Sequence, residues 1–404
     1  MIYVCCISQF NVAELEACLA CKPEHLVLVV SQNIAIQKAA ARFELVIQQT
    51  LPASRIYRPD EQCGFGGDDA IEFQSWVGDA LRPCLEQIDR LSGNHHRWML
   101  NATGGTKIMS MALLVGLPWS RVHYQGFGSS LQNLDFLNGE FIPRKAIMSA
   151  DAPAGSVVQL YADKLEFTNP PEHSDLAAAI WDALQPDSGD PLIGLFEALD
   201  TIWGDRDNPA LALAKVRWHV PEDLQCNPVA CWLERFSTLA DGVFQPNGAG
   251  NPWQYLIPGN KINNRQQRRA HKWLCGGWLE DLVFEWLKTG GIPSGQVIKG
   301  LVSSPEQQTG SATDRDSDLF VHFRGRSTLI EVKADVAGGD YLSVERQVAS
   351  FGDRLGKTRK VLFVGPDACR TIEAKGQWLR FEASLKAYNI RLCQTPESLL
   401  EAVL

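Results

Sequence analysis

Glu331-Val332-Lys333 places two charged residues, two positions apart, within the largely apolar stretch LIEVKAD. Residues two apart in a strand share a face, so Glu331 and Lys333 point the same way while Val332 enters the opposite, apolar side. Upstream, TDRDSDLFVHF runs a burst of acids into a second apolar stretch, with Asp318 at its mouth and Asp314 and Asp316 in the approach. A further carboxylate, Glu280, sits in GGWLEDLVFEWL, where Leu279, Leu282, Val283, Trp286 and Leu287 form the buried stripe of an amphipathic helix. Asp281 and Glu285 compete for that helical role. Carboxylates gathered this way hold hard cations such as Mg2+ or Mn2+, which prefer oxygen ligands. A neighbouring ammonium group orients water or balances developing charge, and the chemistry implied is metal-dependent phosphodiester cleavage. Alternating charge on a single strand is ordinary; it is the companion strand that favours a site.

A second constellation stands near residue 100. Asn101-Ala102-Thr103-Gly104-Gly105-Thr106-Lys107 follows the apolar WML. Adjacent glycines let backbone approach a ligand, Thr103 and Thr106 offer hydroxyls, and Lys107 adds positive charge at a helix start, which together make an anion cradle. Ser8-Gln9-Phe10-Asn11, after the opening strand, is a companion loop. The Walker pattern GxxxxGK[ST] is absent, which argues against nucleotide hydrolysis. Gly64-Phe65-Gly66-Gly67 follows the third strand without GxGxxG spacing and reads as a loop, so a nicotinamide-dependent oxidoreductase has no support. Cys18 and Cys21 form a lone CxxC with no second pair at zinc spacing.

These residues need a multi-domain frame, and 404 residues suggest two or three domains. Over residues 1–150, IYVCCIS, HLVLVVS, SRIYR, HRWMLNA and RVHYQGF alternate with helix-length stretches, which predicts a parallel, doubly wound α/β (Rossmann-like) domain with an edge hairpin near 131–136 and 141–144. Residues 151–260 read as a mainly helical connecting domain, compatible with a winged-helix arrangement, ending in the loop-rich QPNGAGNPWQYLIPGN. Residues 261–404 return to α/β: a helix around 271–289, strands QVIKGLV, SDLFVHF and LIEVKAD, a helix, KVLFVG, another helix and IRLCQ. Trp273, Trp278 and Trp286 at helical spacing suit core packing better than base stacking, and Gln347 suits a surface.

Composition narrows the setting. No apolar run nears the roughly 20 residues that span a bilayer, and MIYVCCISQF lacks the features of a signal peptide, so a cytoplasmic location is expected. The 11 cysteines, odd in number and scattered, suit reduced thiols. A net charge of -9 argues against coating by nucleic acid but not against a local basic groove. KINNRQQRRAHK supplies one, with Arg265, Arg268, Arg269 and Lys272 as candidate backbone contacts.

The order Asp318, then Glu331-Val332-Lys333, resembles the PD-(D/E)xK nucleases. With NATGGTK ahead of it, nearly the whole chain resembles the CARF-domain nucleases of type III CRISPR defence. The resemblance implies that Glu280, Asp318 and Glu331 ligate metal and that Lys333 positions water or stabilises the transition state. It also implies that Ser8, Gln9, Asn11, Thr103, Gly104, Gly105, Thr106 and Lys107 line a site for a cyclic oligoadenylate, cyclic tetra-adenylate favoured. A homodimer acting on DNA or RNA follows from it, since a symmetric ring suits an isologous dimer. The rival is a CARF-type transcriptional regulator whose last domain is structural.

Overall fold

A computed structural model describes residues 1–59, 69–93, 97–125, 130–137, 140–143, 147–148, 150–161, 165–166, 174–185, 218–219, 244–245, 254–255, 273–303, 315–334, 348–349 and 358–404. Five parallel strands open the chain: β1 (Ile2–Cys6), β2 (His25–Val29), β3 (Arg55–Tyr57), β4 (Trp98–Asn101) and β5 (Arg121–Gln125). They lie in the order β3-β2-β1-β4-β5, so strand order reverses between β1 and β4. Helices α1 (Val12–Cys21), α2 (Ile34–Thr50), α3 (Ala70–Trp76), α4 (Arg82–Ser92) and α5 (Lys107–Gly116) make the crossovers. Every residue of β1 and β2 is buried, as expected of parallel strands covered on both faces. The expected hairpin is present as β6 (Ser130–Leu137) and β7 (Glu140–Pro143), paired antiparallel, and β8 (Ile147–Met148) also pairs with β6.

The described middle of the chain contains α6 (Ala154–Gln159), β9 (Leu165–Glu166), α7 (Ser174–Ala183) and a small antiparallel sheet of β10 (Trp218–His219), β11 (Phe244–Gln245) and β12 (Gln254–Tyr255). Two of the three helices read from the sequence, over PLIGLFEALDTIW and PVACWLERFSTLADGVF, fall outside the described residues apart from Phe244, which begins a strand. The third is α7, which packs on α8 (Trp278–Thr289), while β9 pairs with the second sheet.

That sheet contains β13 (Val297–Ser303), β14 (Arg315–Phe323), β15 (Arg326–Lys333), β16 (Arg359–Val364) and β17 (Ile390–Cys393), ordered β17-β16-β15-β14-β13-β9. Helices α9 (Pro366–Ala374), α10 (Trp378–Ala387) and α11 (Pro396–Val403) complete the chain. Where the sequence predicts one helix between β16 and β17 there are two, because Gly376 at positive φ follows the end of α9.

Alternation sorts the second sheet into two faces. Leu319, Val321, Ile330 and Val332 pack with α7, α8 and α11. Phe320 and Leu329 face the other way, into one apolar cluster with Val157 and Val158 of α6 and with Leu15, Phe43 and Val46 of the N-terminal half. The two sheets are therefore joined by continuous core. Among the described residues no helix is long and apolar enough to cross a membrane.

Candidate functional site

The β14–β15 turn sets the geometry of the carboxylates. Arg324 and Gly325 both have positive φ, giving a two-residue turn whose twist matches that of the flanking strands. It fixes the register at Phe323 opposite Arg326 and carries it to Leu319 opposite Ile330. One step further, Asp318 arrives beside Glu331. There the Val332 N–H donates to Asp318 Oδ2 at 2.7 Å, so the carboxylate occupies a donor the backbone ladder leaves over. Glu331 is buried, and Lys333 Nζ donates to its Oε1 at 2.6 Å.

Electrostatics bring the fourth residue in. Burial alone would lower the Lys333 pKa, but the charge of Glu331, then Asp318, and more weakly Glu280 outweighs it and holds the ammonium well above its ordinary value. Glu331, Asp318 and Glu280 thus each favour the charged form of Lys333. Among the described residues no group of three or more His, Cys, Asp and Glu side chains is already drawn close enough to hold a metal ion. Asp318, Glu331 and Glu280 nevertheless offer carboxylate oxygens, the donor chemistry that suits Mg2+ or Mn2+.

Sequence reasoning missed two members of this neighbourhood. Lys299, from β13, forms an ion pair with Asp281 and lies 3.9 Å from Glu280 Oε2. Trp273 Nε1 donates to Asp281 Oδ2 at 2.7 Å, which anchors the buried Asp281 from the other side. Asp281 is therefore an anchor that places Lys299 beside Glu280, and Glu285 is engaged by Lys288 at 3.1 Å. Of the three helical acids, Glu280 is the one whose charge acts on Lys333. A lone Lys in QVIKGLV gave no signal. Trp278 is core, and Trp286 packs against Trp181 and Phe363.

The two N-terminal loops follow β1 and β4, the strands between which the order reverses, which is where open α/β sheets take ligands. Thr106 Oγ1 caps α5 by accepting from the Met109 N–H at 3.2 Å, so Thr106 and Lys107 stand exposed at a helix N-terminus that favours anions. Gly105 has φ 81°. A Cβ on Gly104 would overlap both the Cys6 carbonyl and the Glu14 carboxyl, so only glycine fits. Thr103 is held by its N–H donating to Asn101 Oδ1 at 3.0 Å and by its Oγ1 accepting from the Gln125 N–H at 2.9 Å. In the first loop Asn11 is buried and spent on its own turn: Oδ1 accepts from the Ser8 N–H and Nδ2 donates to the Ser8 carbonyl, both at 2.8 Å. Gln9 is exposed and Ser8 half-buried. Beneath Gly104, burial pushes the Glu14 carboxyl up to about 8, its own backbone hydrogen bond opposing this and Glu16 adding to it.

Arg265, Arg268, Arg269 and Lys272 lie outside the described residues, as do Asp314 and Gln347. A different cationic group is described: Arg326, Arg359, Lys360, Lys386 and Arg391 line a cleft with Glu382 and Glu401. Burial first, then the like charges of Arg326 and Arg391, lower the Arg359 pKa.

No protein-family model and no curated protein matches the chain. Solved structures do. Protein VC1899 from Vibrio cholerae is 14% identical with a TM-score of 0.67, covering 99% of this chain and 95% of its own. Can2 from Sulfobacillus thermosulfidooxidans, in complex with cyclic tetra-adenylate, is 14% identical with a TM-score of 0.63, covering 99% and 97%. The chain shares its overall fold with these two proteins. A type III CRISPR defence DNA nuclease activated by cyclic oligoadenylate is 17% identical with a TM-score of 0.51, covering 90% of this chain and 45% of that one. The likeness to VC1899 and Can2 covers nearly the whole chain, not one of its sheets alone.

Proposed function

We propose that the protein is a metal-dependent nuclease of antiviral defence, switched on by a cyclic oligoadenylate bound at the Thr103–Lys107 loop. The observation that carries the reading is the single site in which Glu280, Asp318 and Glu331 act on Lys333, within a chain that also presents a glycine-built anion loop at the sheet's switch point. Folds shared with a protein solved holding cyclic tetra-adenylate and with a DNA nuclease activated by cyclic oligoadenylate support it.

In this reading Asp318, Glu331 and Glu280 would hold Mg2+ or Mn2+, and the ion would supply Lewis acidity and an activated water. Lys333 would bind the scissile phosphate and offset the charge that grows on its oxygens. Glu331 steers that ammonium through the 2.6 Å hydrogen bond. Lys299, paired with Asp281, lies 3.9 Å from Glu280 and balances part of its charge. The arginine-rich cleft is a second contact for the phosphate backbone of a long substrate.

Two copies would close around a ring-shaped messenger. Ile108, Met111 and Val115 recur along α5 directly after the loop and are 41%, 67% and 81% exposed, an apolar stripe suited to an isologous contact. The test is cleavage of single-stranded DNA, RNA and plasmid with Mn2+ or Mg2+, with and without each cyclic oligoadenylate. Messenger-dependent cleavage that disappears in Glu331→Ala supports the reading, and cleavage of none of the substrates under any condition refutes it.

A further inference from the structure

Three polar side chains cross the apolar junction between the two sheets. Glu16, on α1, is 1% exposed, and His322, on β14, is 0% exposed. Glu16 Oε1 lies 2.9 Å from His322 Nε2, across 306 positions of sequence. The other oxygen, Oε2, accepts from Gln125 Nε2 at 2.6 Å. Gln125 ends β5, and its backbone N–H donates to Thr103 Oγ1 at 2.9 Å. On the far side, His322 Nδ1 lies 3.0 Å from Ser327 Oγ, across the hairpin that sets the Asp318–Glu331 register. An unbroken path of hydrogen bonds thus runs from the anion loop into the strand that carries Asp318.

The chemistry of the path is out of place if its only task is adhesion. The core that joins the two sheets is otherwise apolar, with Leu15, Val157, Phe320 and Leu329 among its members, and apolar side chains of similar volume hold such a junction at least as well as a buried acid and imidazole do. Burying the two polar groups demands that each keep its partner, so the path tolerates few arrangements. Position strengthens the point. Alternation puts Asp318, Phe320 and His322 on one face of β14, and Phe320 lies in the shared core. His322 and Asp318 are four residues apart, roughly 13 Å along a stiff strand. A shift of Gln125 or Glu16 therefore reaches the carboxylate through a strand rather than a loop.

We propose that Thr103, Gln125, Glu16 and His322 form the conduit by which the state of the N-terminal loop sets the position of Asp318, with His322 as the positioning residue at the nuclease end. The proposal rests on the functional reading above, of which it is the regulatory step. Messenger at the loop competes for Thr103, Gln125 follows its hydroxyl, and Glu16 passes the displacement to His322. Coupling of this kind requires only that the two arrangements differ in messenger affinity.

The test uses full-length protein and two substitutions of one residue. His322→Asn retains an amide near the Ser327 hydroxyl but falls short of Glu16, whereas His322→Gln extends an amide to the position of Nε2. We expect His322→Asn to keep basal cleavage and cyclic tetra-adenylate binding by calorimetry, and to lose stimulation by roughly 5- to 150-fold, the range of ordinary coupling. His322→Gln restores it. Equal stimulation of wild type and a folded His322→Asn overturns the conduit. A second arm needs neither messenger nor substrate and decides the matter should His322→Asn not fold: Thr103→Val removes the acceptor for Gln125, and hydrogen exchange is read over 315–323. Faster exchange there supports the conduit; unchanged exchange overturns it. If wild type answers to no cyclic oligoadenylate while the exchange arm succeeds, the functional reading fails and the conduit stands.

Discussion

Replacing Glu14 with glutamine is expected to stabilise the protein increasingly as pH rises. Glu14 is buried under the Gly104 backbone, its Oε2 has no hydrogen-bond partner among the described residues, and its pKa is raised from 4.5 to about 8. The unfolded chain releases this proton near pH 4.5 and the folded chain keeps it until about pH 8. Over that window the folded state binds more protons, so stability falls with rising pH. Below the window both states are protonated and the penalty vanishes; above it the penalty is complete. The gap between 4.5 and about 8 corresponds to roughly 5 kcal/mol. Glutamine carries no charge at any of these pH values. The difference in melting temperature between Glu14→Gln and wild type, measured in matched buffers from pH 4 to 9, is expected to be flat below about pH 4.5 and to grow by on the order of 5–10 °C by pH 8. Parallel curves from pH 5 to 8, or an advantage that grows toward acid, would refute the assignment of a neutral carboxyl at this position. The same proton matters for the loop above it, because an ionised Glu14 under an anion cradle repels phosphate. Cyclic tetra-adenylate affinity, read by calorimetry, is accordingly expected to weaken above pH 8 in wild type and less in the variant.

Other expectations follow from the same geometry. Gly104→Ala forces a methyl group against the Cys6 carbonyl and Glu14, costing about 1–3 kcal/mol in a thermal or denaturant melt and abolishing messenger binding in calorimetry. Lys299→Met leaves Asp281 buried without its cation and is expected to cost about 3–5 kcal/mol, much of it recovered in the Asp281→Asn, Lys299→Met pair; both lose cleavage because Glu280 is no longer held. Phe320→Ala opens the core shared by the two halves, with an expected loss of about 3–5 kcal/mol in denaturant titration. Replacing Arg359 and Arg391 with alanine is expected to weaken nucleic-acid binding and to flatten the slope of log affinity against log salt by about 0.7–0.9 for each phosphate that is no longer neutralised, whereas an unchanged slope removes the cleft from the substrate path.

The parts legible in the sequence are those whose signal is local. β1 and β2 announce themselves as apolar runs because parallel strands are buried on both faces, and the edge hairpin and the 331–333 alternation are equally direct. The proximity of Asp318 to Glu331 was readable in outline, but its cause, the two-residue turn at Arg324 and Gly325, was not, since a non-glycine at positive φ carries no strong sequence mark. Helix α9 ending ahead of α10 was missed because Gly376 was absorbed into one periodic stretch. What escaped altogether is non-local. Glu16 and His322 are 306 positions apart, and neither stands out from its neighbours in sequence. Lys299 and Asp281 look like surface charges until the fold buries them against each other and Trp273. The turn between Asn11 and Ser8 is local, but any short polar side chain after a strand can make it, so the sequence does not single it out.

The central claim is that a ligand at the Thr103–Lys107 loop controls a carboxylate-lysine nuclease site in the same chain. Its most direct measurement is the initial rate of single-stranded DNA and RNA cleavage in Mn2+, with and without cyclic tetra-adenylate, in wild type, Lys107→Ala and Glu331→Ala. The account predicts stimulated cleavage in wild type, loss of stimulation with basal cleavage retained in Lys107→Ala, and no cleavage in Glu331→Ala. Cleavage that survives Glu331→Ala, or that ignores both the messenger and Lys107, would contradict it.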